Sequence, residues 1–172
     1  MIRLLIILFL FSKALYANRC IDGDCVNGYG TYLFSSGEFA GDKYTGENVN
    51  NVSHGLGTYY FSNGEKYTGE HFNNRRDGLG TYYFKNGDIY KGEYKNSNRH
   101  GDGVFLYLDG TKYIGEFKNG DFHGYGIYFY ANGEKYLGEF KNDYFDGEGV
   151  YINLDGSIIT GVWKEDKLIE RK

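Results

Sequence analysis

The sequence predicts an all-β protein made of about six consecutive β-hairpins, each 23 residues long. Three observations predict it. The segments that begin at Tyr44, Tyr67, Tyr90, Tyr113 and Tyr136 all read Tyr-x-Gly-Glu and recur at a constant step of 23. Gly46, Gly69, Gly92, Gly115 and Gly138 therefore form one ladder, and Glu47, Glu70, Glu93, Glu116 and Glu139 another. A fixed step of this size marks stacked supersecondary units. Within each step a run of β-branched and aromatic residues is followed by Asn63-Gly64, Asn86-Gly87, Asp109-Gly110, Asn132-Gly133 or Asp155-Gly156, a strong hairpin signal because such turns need positive φ. The composition agrees: 27 glycines, no proline and 19% aromatics suit many short strands and tight turns rather than a disordered chain.

Taken in order, residues 1–17 have a basic start (Arg3), an apolar run over 4–11 and a small residue, Ala17, at a cleavage position. That is the layout of a secretory signal peptide, and the apolar run is far short of the roughly 20 residues of a spanning helix. The mature chain is expected to start at Asn18 and to be exported, to a periplasm, a cell envelope or the medium. Without Arg3 and Lys13, 17 basic residues face 23 acidic ones, a net charge of −6. An acidic chain is a poor nucleic-acid binder, since neutralising phosphates takes a Lys/Arg surplus. It is also a weak candidate for unspecific attraction to anionic membranes. Cys20 and Cys25 are expected to pair with each other in an oxidising compartment, pinning residues 18–27 as an N-terminal cap.

Residues 28–163 form the array. First strands such as Thr58-Tyr59-Tyr60-Phe61 and Ile127-Tyr128-Phe129-Tyr130 precede the turn; the Tyr-x-Gly-Glu segment follows it, and a polar linker such as 117–123 leads to the next unit. The first unit carries four extra residues within 39–43. A bulged three-residue turn would set Tyr67 on the face of Tyr59 and Phe61, whereas a two-residue turn would set it opposite Tyr60; clustering of the aromatics favours the bulge. Glycines such as Gly57 and Gly69 are expected to let neighbouring rings lie over bare backbone. A degenerate copy at Ile159-Thr160-Gly161-Val162 and the charged residues 164–172 read as a C-terminal cap and tail.

The succession Tyr-x-Gly-Glu-Phe/Tyr-Lys-Asn, then His/Asp-Gly-x-Gly, then an aromatic strand and Asn/Asp-Gly resembles the MORN (membrane occupation and recognition nexus) repeat, most clearly over 90–110, 113–133 and 136–156. The resemblance implies an elongated, twisted antiparallel sheet of consecutive hairpins. It also implies membrane or phosphoinositide attachment, scaffolding or self-association, and in some relatives an appended enzyme domain. The expected export signal departs from a cytoplasmic lipid-binding role, and with nine residues after the array no appended enzyme domain is expected.

The chemistry expected of the columns is modest. Five equivalent glutamates serve the repeat, by accepting backbone N–H bonds or meeting a lysine, because acid–base catalysis needs dissimilar environments. His54, His100 and His123 share a linker position with Asp77 and Asp146, which favours a turn role over a metal site. No metal, cofactor or catalytic residue is expected. Lys95, Lys118, Lys141 and Lys164, with Arg75, Arg76 and Arg99 nearby, form a basic stripe, either a solvated rim or a surface for lipid head groups or an acidic partner. The expected function is non-catalytic interaction or structural work outside the cytosol, with a protein partner or self-association through sheet edges; peripheral membrane binding is the alternative.

Overall fold

The computed structural model describes residues 18–172; the signal-peptide expectation falls on 1–17 and lies outside them. The described chain forms fourteen strands: β1 (Arg19–Gly23), β2 (Tyr29–Leu33), β3 (Lys43–Val49), β4 (Val52–Tyr60), β5 (Lys66–Phe72), β6 (Arg75–Tyr83), β7 (Ile89–Lys95), β8 (Asn98–Leu106), β9 (Lys112–Lys118), β10 (Asp121–Phe129), β11 (Lys135–Lys141), β12 (Tyr144–Ile152), β13 (Ile158–Lys164) and β14 (Lys167–Arg171). They make one open antiparallel sheet in strict chain order. Six predicted hairpins, β2–β3 through β12–β13, lie between the single strands β1 and β14.

Each predicted Asn/Asp-Gly turn is a three-residue loop. In the second hairpin Phe61 N donates to Glu65 O at 3.0 Å and Gly64 N to Phe61 O at 3.0 Å, and only Gly64 has positive φ, at 95°. This is a type I turn closed by a glycine bulge. It brings Tyr67 opposite Tyr59 and Lys66 opposite Tyr60, the register that gathers the aromatic rings on one face. The four extra residues of the first unit lengthen only its loop, closed by Phe34 N donating to Asp42 O at 3.0 Å.

Where the sequence suggests polar linkers, the chain instead forms strand, two-residue turn and strand. Residues 117–123 contain the end of β9, the turn Asn119-Gly120 and the start of β10, with φ of 55° and 106° at the turn. Asn50-Asn51, Asn73-Asn74, Asn96-Ser97, Asn142-Asp143 and Glu165-Asp166 also have positive φ at both positions, the mark of a type I′ turn. The histidine position of the supposed linker is therefore in strands β4, β8 and β10. The charged C-terminal segment adds a strand: β14 pairs with β13, and Lys172 N donates to Thr160 O at 2.8 Å. At the other end Cys20 and Cys25 form a disulfide, with Cα atoms 5.8 Å apart.

A single sheet has no second layer to cover it, so the aromatics of one face cover each other. Tyr67, Tyr90, Tyr113 and Tyr136 are completely buried; each buried ring contributes about 2–3 kcal/mol. Each ring lies flat over two facing glycines. Tyr113 covers Gly115 and Gly126, which pair across β9 and β10, and a Cβ on Gly126 would stand 2.6 Å from the Tyr113 ring. The hydroxyl reaches past the glycines to donate to Glu116 O at 2.9 Å.

We expect Gly126→Ala to cost about 3 kcal/mol, measured as the shift of the urea midpoint, because the ring must leave its seat. With Tyr113→Leu already present the added methyl should cost under about 1 kcal/mol. Equal costs in the two backgrounds would disprove the ring-on-glycine contact.

Candidate functional site: the aromatic face

Alternation along each strand sorts the side chains onto two faces. The inner face carries the row Tyr44, Tyr67, Tyr90, Tyr113 and Tyr136, whose hydroxyls donate to the carbonyls of Glu47, Glu70, Glu93, Glu116 and Glu139 at 2.8–3.2 Å. Burial pushes these phenols well above their ordinary pKa. A second row on the neighbouring strands is Tyr59, Tyr82, Phe105, Tyr128 and Tyr151. Three of its hydroxyls donate to acids of the preceding unit: Tyr59 to Asp42 at 2.6 Å, Tyr82 to Glu65 at 2.7 Å and Tyr151 to Glu134 at 2.9 Å. The bond from Tyr82, with Asn63 beside it, holds the Glu65 carboxyl below its ordinary pKa. These acids link unit to unit, and their role was missed from the sequence; the acid that directly follows the turn glycine, as Asp42, Glu65 and Glu134 do, was the available signal.

A third row, His71, Tyr94, Phe117, Phe140 and Trp163, closes each unit edge-on. Tyr67 meets Tyr94 at 5.1 Å and Tyr90 meets Phe117 at 4.9 Å, both T-shaped. Three rings, one from each row, thus frame a cage in every unit. Arg76 fills one cage and Arg99 the next, with their guanidinium carbons 5.1–5.8 Å from the ring centroids. Phe122 and Phe145 fill the following two, stacked on Tyr113 at 3.9 Å and on Tyr136 at 3.7 Å. At the N-terminal end a groove of about 440 Å³ opens among residues that include Tyr44, Tyr59, His71, Ser53 and Asn74. A second, wider depression lies over Phe105, Tyr128, Tyr151 and Trp163, with Asp143 and Asp166 at its side.

The outer face is different. Lys95, Lys118, Lys141 and Lys164 end alternate strands there, all exposed, and the same column continues as exposed Phe72 and Val49. Lys164 pairs with Asp146 at 2.8 Å. The arginines do not join them in one stripe. Arg75 is exposed and its Nη1 donates to Asn96 Oδ1 at 2.9 Å, but Arg76 and Arg99 point into the inner cages. The two-residue turns cause this: Arg75 pairs with Phe72 and Arg76 with His71, so successive arginines face opposite sides.

The glutamate column is committed to backbone. Glu47, Glu70, Glu93, Glu116 and Glu139 accept N–H bonds from Leu56, Leu79, Asp102, Tyr125 and Glu148 at 2.9–3.3 Å, each across a bulge of the facing strand. The five settings are alike, so nothing divides them into acid and base. The Nδ1 atoms of His54 and His123 are buried without a hydrogen-bond partner. No group of three His, Cys, Asp or Glu among the described residues is placed to hold a metal.

An open, single-layer array of hairpins whose one face is an aromatic groove defines a class of repeat scaffold. The chain belongs to the MORN repeat family: the family profile matches residues 27–39, 44–66, 67–89, 90–112, 113–135 and 136–158, and such repeats are generally binding or structural units. No curated protein matches the sequence significantly. Among solved structures, the TCP domain of SAS-4 from Drosophila melanogaster, in complex with a proline-rich motif of Ana2, superposes with a TM-score of 0.52 over 88% of this chain and 81% of that one, at 12% identity. That likeness is one of fold. Virginiamycin B lyase from Staphylococcus aureus aligns over 88% of this chain and 47% of that one at 12% identity, with a TM-score of 0.21.

His71 gives the site its pH dependence. Burial depresses its pKa to about 4, against about 6.5 unfolded. The unfolded chain thus binds the extra proton between these values, and stability present above pH 6.5 is lost as pH falls toward 4. We expect the wild type to lose about 2 kcal/mol between pH 7 and pH 5 through this group. His71→Phe, which installs the residue found at 117 and 140, should remove that component of the urea midpoint's pH dependence. An unchanged slope in the variant would show that His71 is not its source.

Proposed function

We propose that this chain is a non-catalytic binding module that works outside the cytosol and holds an extended segment of a protein partner along its aromatic face. The observation that carries this reading is the face itself, which is continuous over the hairpins, walled by rings and opened by the groove beside Tyr44, Tyr59 and His71. Aromatic-lined grooves suit extended peptides, above all Pro-rich ones, whose preformed polyproline II main chain has little ordering entropy to lose. The TCP domain with a similar fold is described with a proline-rich motif bound, which supports the same use of an open sheet here. The Cys20–Cys25 disulfide and the leader-like residues 1–17 support export. Self-association through the sheet ends has less support. β1 and β14 are five residues long and exposed, and Arg19, Lys167, Glu170 and Arg171 place charge along them, a common guard against edge pairing.

Panning a displayed library of random 12-residue peptides against the protein should recover binders. Phe61→Ser and Tyr107→Ser on the inner face should weaken them by about tenfold or more, read by fluorescence anisotropy. Leu79→Ser and Tyr125→Ser on the outer face should leave them unchanged. Binders that respond only to the outer-face pair would reject the aromatic face as the site.

One observation favours a second reading, lipid attachment: the exposed column Val49, Phe72, Lys95, Lys118, Lys141 and Lys164 presents apolar residues and cations in line. On the reading proposed here the protein does not float with phosphatidylcholine–phosphatidylserine vesicles, even at low salt. Flotation that salt abolishes, and that a Lys95/Lys118/Lys141→Glu triple variant removes, would promote the lipid reading instead.

A further inference from the structure

The five cages share their walls but not their filler. In the second and third, the guanidinium carbon of Arg76 lies 5.8, 5.1 and 5.3 Å from the rings of Tyr67, Tyr82 and Tyr94, and that of Arg99 lies 5.8, 5.1 and 5.7 Å from Tyr90, Phe105 and Phe117. Each arginine also donates through Nη2 to a turn carbonyl 21 residues further on: Arg76 to Ser97 at 2.8 Å, and Arg99 to Gly120. The first cage has equivalent walls in Tyr44, Tyr59 and His71. Tyr44 and His71 stand 5.1 Å apart and T-shaped, as Tyr67 and Tyr94 do. Its filler position, however, is Ser53, whose hydroxyl lies 3.2 Å from Asn74 Oδ1. The groove of about 440 Å³ is lined by this short residue together with the three walls.

We infer that the first cage receives a guanidinium group, carried by an arginine of the partner's extended segment, in the seat that Arg76 and Arg99 occupy in the next two units. This rests on the protein-binding reading above and names what that partner must present. The faces of the rings attract a cation, and a guanidinium is the cation that the next two cages enclose. The Tyr59 hydroxyl donates to the buried Asp42 carboxylate at 2.6 Å, as Tyr82 in the Arg76 cage donates to Glu65 at 2.7 Å. Both cages therefore have an acid one hydrogen bond behind a wall. The Asn74 carbonyl, 21 residues after Ser53, occupies the place of Ser97 and Gly120 as acceptor, and Asn74 lines the groove. His71 adds no positive charge near neutrality, because burial keeps it neutral. Arg76 also lines the groove, and the pair Arg76 and Arg99 shows that guanidinium groups in adjacent cages coexist in this fold.

The test is titration of the full chain with acetyl-arginine amide, followed by NMR of the His71, Tyr44 and Tyr59 rings. Parallel arms use acetyl-citrulline amide, which keeps the shape and loses the charge, and choline, whose quaternary ammonium carries no N–H to donate to the Asn74 carbonyl. Arginine should give saturable shifts at these rings, and both comparison compounds should bind about fivefold or more weakly. Ser53→Arg should fill the cage from within, abolish the shifts and raise the melting temperature by about 2 °C or more. Tyr59→Leu, checked for folding by circular dichroism, should lose the preference for arginine and keeps the test open should Ser53→Arg fail to fold. Equal binding of citrulline, tighter binding of choline, or undiminished arginine binding by a folded Ser53→Arg overturns the assignment. If arginine shifts nothing while the panned peptides still bind the inner face, the cage assignment falls alone; if those peptides fail as well, the protein-binding reading falls with it.

Discussion

A single-layer sheet must build its own core, and here one contact does so: a tyrosine ring laid across two paired glycines. Any larger residue at Gly115 or Gly126 would push the Tyr113 ring off the sheet. With glycines there the ring sinks to full burial and its hydroxyl finds Glu116 O. The remaining rows follow from this seat. Once Tyr113 lies flat, its exposed edge is covered by Phe117 and Phe140, T-shaped at 5.2 and 4.9 Å, and its face by Phe122. Edge-to-face and offset contacts of this kind add to the area buried, so the core is a chain of rings one layer deep rather than a filled interior.

The same contact explains how units couple. No hairpin can bury its rings alone, since the edge of each first-row ring is closed by a third-row ring from the following unit. Hydrogen bonds repeat that dependence: phenols reach back to acids of the previous unit, and turn backbones bond across units, as Asn74 N does to Ser53 O at 3.1 Å and Ser97 N to Arg76 O at 2.8 Å. The cages are therefore held in line at a regular interval, and an extended ligand meets a row of like positions with different contents.

Much of this was legible in the sequence. The 23-residue step, the Asn/Asp-Gly turns, the bulged register and the glycines under the rings all follow from residue types at fixed positions. Two things were not. The second turn of each unit read as linker, because pairs such as Asn73-Asn74, Asn96-Ser97 and Glu165-Asp166 carry no glycine although their residues take positive φ. The one Asn-Gly pair among them, Asn119-Gly120, was not weighed as a turn. Strand parity was lost with these turns: Arg75 and Arg76 are successive residues of β6 and so face opposite sides, and the pairing of Arg76 with His71 decides that Arg76 is the inner one. The basic stripe split into an outer lysine column and two inner arginines for this reason. The acids at 42, 65 and 134 escaped notice because their partners lie 17 residues away in another unit.

In a repeat protein the shared residues report on the fold, and the unshared ones on what distinguishes this chain. The glutamates, occupied by the same backbone bond five times over, belong to the first kind, and so do the tyrosines above them. The unshared residues gather at the N-terminal end: Ser53 where other units place arginine or phenylalanine, His71 where they place a purely aromatic ring, and a loop lengthened by four residues that carries Phe39 to the groove wall. Each change shortens, polarises or extends the wall of one and the same cavity. Stability alone favours the filled cages of the later units, because a stacked Phe122 or an enclosed Arg99 adds contacts that a serine cannot. An open cage kept among filled ones is a local cost to packing, and the groove bounded by Tyr44, Tyr59 and His71 is where a ligand can offset it.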